Sequence, residues 1–192
     1  MNYLVVGLVI FLGVHSLRIF ANDWRSKVCT QYGEGVFKGV YSLLSLLGFG
    51  LIVWGFGVAR ETPVLLWQPL QTLRYVASAL MWLAFVLLAA TYVPSNAIKA
   101  RFHHPMVLGV KTWAVAHLLA TGTVANMVLF GAFLIWGVLL FVVSRRRDRQ
   151  DGTSYPAGTL QGTLATVVVG TLAWAVFAFY LHGMLIGIRP LS

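Results

Sequence analysis

Acidic residues are nearly missing from this chain: 192 residues carry 5 Asp+Glu against 14 Lys+Arg, and charged side chains make up 10% of the total. A soluble domain is about 25% charged, so the deficit excludes a soluble globular enzyme and a disordered tail. Cysteine is as scarce. Cys29 stands alone, which excludes an intramolecular disulfide and a disulfide scaffold. No CxxCH run attaches a c-type haem covalently, so any haem is held non-covalently. The N-terminus has no basic n-region, and no small-residue cleavage site follows the first apolar run, which is therefore expected to remain as a transmembrane helix.

What is there is apolar: 59% of the residues are hydrophobic. Crossing a ~30 Å hydrocarbon layer takes roughly 20 residues per helix, and this content fills about six spans. The runs lie at about residues 3–20, 39–58, 73–93, 105–122, 124–143 and 164–188. A loop containing Asp23, Trp24, Arg25, Lys27 and Glu34 joins the first two. Pro94 ends the third, and the segment 95–104 is too polar to cross a membrane. Pro105 suits the first turn of the fourth. The fold class is all-α, a single polytopic domain over residues 1–192 without internal repeat.

A formal charge of +9 invites a nucleic-acid partner, but the basic residues sit at the ends of apolar runs and form no stripe, which makes the bilayer the partner instead. Ten fall in loops of one side: Arg18, Arg25, Lys27, Lys38, Lys99, Arg101, Arg145, Arg146, Arg147 and Arg149. Arg60, Arg74 and Arg189 fall on the other, and Lys111 lies within a span. Basic loops stay cytoplasmic, so both termini are expected in the periplasm of a bacterial inner membrane.

Polar groups inside spans are costly unless a partner or cofactor accepts them. His15, Lys111, His117, Asn126 and His182 are such groups, while His103 and His104 lie at the edge, where His103 can be hydrated. An interhelical hydrogen bond to Ser, Thr or a carbonyl accounts for any one histidine. Three spans each holding one, with no acid inside a span to pair with it, point to iron, for which neutral imidazole is a good ligand. On the fourth span Met106, Val110, Trp113 and His117 recur at helical spacing, so Trp113 shares the face of His117. His104 and Lys111, seven residues apart, share another face, suited to a haem propionate, a phosphate or a carboxylate. Snorkelling to the headgroups is the other reading for Lys111. By helix rise His15 and His117 differ in depth by roughly 8 Å. That leaves both the His15–His117 and the His117–His182 pairings open.

Three segments resemble the NnrU family: Gly13-Val14-His15-Ser16-Leu17-Arg18, Lys38-Gly39-Val40-Tyr41-Ser42-Leu43 and, most specifically, the run from His103-His104-Pro105 to Trp113-Ala114-Val115-Ala116-His117-Leu118. The family is similar to the 15-cis-zeta-carotene isomerases, haem-b membrane enzymes. The resemblance implies haem b with iron on His15 and His117, favouring that pair, and puts the family's His-Pro position at His104. It also implies a role in nitric oxide reduction and denitrification, with another membrane protein such as a nitric oxide reductase as partner. Ferrous haem binds nitric oxide; with a labile axial histidine the same iron acts as a Lewis acid on a polyene, a hydrophobic small-molecule substrate.

Two further readings stand beside these. His104-Pro105 with Gly109 also resembles the Arg-His-Pro-x-x-x-Gly segment of membrane methyltransferases that bind S-adenosylmethionine. Here His103 replaces the arginine, and Asp148 and Asp151, set among arginines, do not reproduce that family's acidic motif. A non-catalytic assembly subunit would use the small residues Ser45, Gly48, Gly55, Gly131 and Gly137 to pack against a partner. The same residues serve packing within one chain.

Overall fold

A computed structural model describes residues 1–190, apart from the side chains of Arg18 and Asn22. Arg18, counted above among the basic loop residues, is thus outside the described side chains. The chain folds into helices α1 (Asn2–Phe20), α2 (Asn22–Tyr32), α3 (Glu34–Glu61), α4 (Gln71–Tyr92), α5 (Ala97–Phe102), α6 (Pro105–Ala120), α7 (Val124–Gln150), α8 (Leu160–Val176) and α9 (His182–Ile186). A π-helical turn, Phe177–Leu181, links the last two. Each expected apolar run is a helix. Four are long and apolar enough to cross a membrane: Glu34–Glu61, Gln71–Tyr92, Val124–Gln150 and Leu160–Ile186. The apolar helices Asn2–Leu17 and Pro105–Ala120 are shorter, and 16 residues of α6 rise only about 24 Å. By length and composition this is a multi-pass membrane protein.

Two compact units make up the chain, residues 1–67 with 122–140 and residues 68–121 with 141–192. In the first, α1 lies along α3 at glycine-limited distance. A Cβ on Gly7 would stand 2.6 Å from the Ile52 nitrogen, one on Gly48 2.8 Å from the Phe11 nitrogen, and one on Gly55 would run into the Leu4 backbone. The small-residue face of α3 is therefore occupied by α1 of the same chain. Within a bilayer such fits hold helices together by dispersion, because lipid is as apolar as leucine. Residues 64–67 bridge to the start of α7 through Leu66 N–H to Gly122 O (2.8 Å) and Val124 N–H to Val64 O (3.0 Å).

The linker expected between the first two spans as a loop is largely the helix α2. Its apolar residues Trp24, Val28 and Tyr32 recur every four positions, which gives an eleven-residue polar segment one apolar stripe and makes it helical at an interface.

In the second unit α4 packs against both α6 and α8. Gly109 of α6 lets the Ala84 carbonyl and Leu88 approach, and Gly170 of α8 seats on Val86; Ala84, Ala90, Ala114 and Ala116 are buried. Trp82 Nε1–H donates to Thr171 Oγ1 at 2.9 Å. Buried Asn96 ties the turn after α4: its Oδ1 accepts from Lys99 N–H (2.7 Å) and its Nδ2 donates to Ala90 O (3.0 Å). Ala97 N–H donates to Thr163 Oγ1 (2.9 Å), fastening that turn to the start of α8.

Candidate functional site

In the first unit, His15 sits one helical turn after Phe11. Its Nδ1 lies 2.7 Å from the Phe11 carbonyl oxygen, and its ring stacks on Phe11 with centroids 4.2 Å apart. Tyr41 flanks it at 5.3 Å and Trp136 stands edge-on at 6.3 Å. A carbonyl accepts only from a protonated nitrogen, so the proton is on Nδ1 and the lone pair is on Nε2. Trp136 Nε1 is buried and meets no acceptor among the described residues.

The second unit repeats this anchoring twice. His117 Nδ1 lies 2.9 Å from the Trp113 carbonyl oxygen, and the two rings are 5.3 Å apart, so Trp113 shares the face of His117 as its spacing requires. His182 directly follows the π-helical turn. Its Nδ1 is 2.6 Å from the Ile188 carbonyl, and its ring is edge-on to Phe177 at 5.8 Å. Gly187, at φ 77°, supplies the left-handed turn that ends α9 and brings the chain back to His182. Asn126 is settled locally, its Nδ2 donating to Thr123 Oγ1 at 2.8 Å.

His103 and His104 belong to a different environment. The His103 N–H closes α5 on the Lys99 carbonyl (2.8 Å), and its φ of 66° is unusual for a side chain larger than glycine. This sharp turn brings both rings to one carboxylate. His104 Nε2 is 2.8 Å and His103 Nδ1 3.7 Å from Asp148 Oδ2. Tyr155 donates to the same oxygen at 3.1 Å and stacks on His103 at 4.1 Å. The Arg145 guanidinium donates to His103 Nδ1 and lies 3.9 Å from Asp148. His103 is thus half-buried and partnered, not simply hydrated.

Asp148 lies beyond the apolar part of α7. Burial pushes its carboxyl up, but the charge of His104, the Tyr155 hydroxyl and His103 together hold it below the usual carboxylate range. Burial raises the Tyr155 hydroxyl, and the bond to Asp148 and its charge raise it further against the pull of Arg145. Sequence reasoning missed this pairing. The available signal was one acid kept inside the run Arg145–Arg149.

Lys111 and His104 do share a face: the Lys111 ammonium lies 4.6 Å over the Phe141 ring, and His104 is edge-on to the same ring at 6.2 Å. The anion beside His104 is the protein's own Asp148. Among the described residues, no three His, Cys, Asp or Glu side chains converge to hold a metal ion.

A family model described as NnrU protein matches residues 3–190, nearly the whole chain. No curated protein and no solved structure matches it.

Proposed function

Because the chain belongs to the NnrU family, we propose that it is a bacterial inner-membrane protein of six transmembrane helices that holds haem b on His15 and His117 and serves nitric oxide reduction. The observation that carries this reading is the anchoring of both imidazoles. Each gives Nδ1–H to the carbonyl four residues back, the arrangement by which metal-binding histidines fix their tautomer and raise the basicity of the other nitrogen. The donor set fits haem in a second respect. A bare ion needs three or four protein ligands, whereas haem would bring most of its iron's ligands with it and would need only one or two histidines from the chain. The unmatched indole N–H of Trp136 beside His15 offers a donor to a propionate. When bound, the haem supplies an iron that takes nitric oxide or an electron. The chain's own residues orient the ligand nitrogens: Phe11 and Tyr41 flank the His15 ring, and Trp113 flanks that of His117. Ten basic residues on one side favour that side as cytoplasmic, with both termini opposite.

A specific observation supports a second ligand pair. His117 and His182 belong to one unit, and His182 also holds its Nδ1 against a backbone carbonyl, that of Ile188. Oxidised and dithionite-reduced spectra of the purified protein, with pyridine haemochrome analysis, test the reading. A b-type spectrum is expected, lost or strongly altered in His117→Ala. Equal damage by His15→Ala with an intact spectrum in His182→Ala selects the first pair, and the reverse selects the second. A chain without haem after expression with ample haem supply, or a spectrum untouched by all three variants, overturns the assignment.

A further inference from the structure

The first unit contains a cavity of about 170 Å³ between α2 and the adjoining parts of α1 and α3, lined only by apolar and aromatic side chains. The α2 stripe of Trp24, Val28 and Tyr32 forms one wall, and Leu17, Val40 and Tyr41 stand opposite. A volume of about 150 Å³ takes a benzene-sized molecule, so a hydrocarbon segment of similar bulk fits in this half-open apolar groove. The rim is of another character. α2 carries Arg25 and Lys27 against Asp23, and Glu34 is already neutralised by Lys38 at 3.1 Å. The Arg25 guanidinium lies 5.4 Å over Phe37, a lining residue. Trp24 and Tyr32 are 52% and 60% exposed, as suits amphipathic aromatic rings at headgroup level.

We propose that this cavity is a binding site for one acyl chain of an anionic phospholipid, whose phosphate meets Arg25 and Lys27. An apolar wall with a basic rim matches the two ends of such a lipid, and the multi-pass helices place it in contact with the bilayer. The chain ends against Tyr41, whose other side faces the His15 ring at 5.3 Å, so lipid occupancy steadies one wall of the His15 surroundings. This site stands independently of haem.

The test is native mass spectrometry of the full chain reconstituted with phosphatidylglycerol or with phosphatidylcholine of identical chains, followed by stepwise delipidation. One phosphatidylglycerol per chain is expected to persist. Arg25→Ala and Lys27→Ala should each lower its retention about fivefold and remove the preference over phosphatidylcholine. Val28→Trp, which fills the cavity, should abolish retention of either lipid. Val40→Phe fills it from the opposite wall and serves if the first variant fails to fold, as read by circular dichroism. Equal retention of both lipids, or retention unchanged by a folded cavity-filling variant, overturns the proposal; so does co-purification of a quinone or other uncharged isoprenoid in place of the phospholipid.

Discussion

His15 and His104 hold their protons by different means, and the contrast separates two kinds of chemistry. His15 is fixed by a carbonyl of its own helix and by aromatic rings, so Nδ1 is committed to the backbone and Nε2 is the nitrogen that can meet a ligand. His104 faces Asp148, with Tyr155, His103 and Arg145 around the same carboxylate. That carboxylate takes His104 Nε2, a nitrogen a metal would otherwise use. The first setting suits a ligand to iron, and the second suits a fixed hydrogen-bonded cluster that closes the turn between α5 and α6 onto the end of α7.

The largest expected effect breaks the contrast on the ligand side. His117→Ala is expected to abolish the b-type spectrum, whereas His104→Ala should leave its band positions in place. A spectrum lost equally in both would show that the two environments are not functionally distinct. Next in size is Asp148→Asn, which strands partly buried donors and should cost about 1–3 kcal/mol of stability, read as a lower melting temperature in detergent. The sign with pH follows from the lowered carboxyl. Its contribution is present above the usual 3.8 and is lost as pH falls through the lower folded value; the variant should lack that acid limb.

Tyr155→Phe removes one hydrogen bond to a charged group, worth about 1.5–3 kcal/mol at most and less at this partly exposed position. Because the hydroxyl is raised, its stabilisation is complete below pH 10 and fades as pH climbs through the folded value. Ultraviolet titration should show one fewer late-ionising tyrosine in the variant than in the wild type. Smallest and most diagnostic is Trp136→Phe. Without haem it removes an unmatched donor and should be neutral or stabilising by a few tenths of a kcal/mol; with haem it should weaken retention. The same sign in both forms would remove Trp136 from the site.

Much of this was legible from composition and spacing. The apolar runs, the stop at Pro94, the start at Pro105, and the faces shared by Trp113 with His117 and by His104 with Lys111 all follow from helical period. These are local properties. Asp148 is 44 residues from His104, and no periodicity announces a pairing at that separation. α2 was hidden by its polarity, although Trp24, Val28 and Tyr32 carried its register. The partner of Lys111 turned out to be a ring, Phe141, where charge arithmetic looks for an anion. The use of Gly48 and Gly55 was open between two partners in sequence; the backbone of α1 fills it.

The π-helical turn ahead of His182 has its own consequence. The His182 N–H reaches the carbonyl of Phe177, five residues back, so this stretch holds one residue more than regular α-helix would. Deleting a single residue within 177–181 would restore the regular ladder and leave the helix on either side nearly in register, because the wider turn already absorbs its extra residue as a bulge. One codon can therefore be gained or lost here while the helix beyond, with His182 at its start, keeps its course.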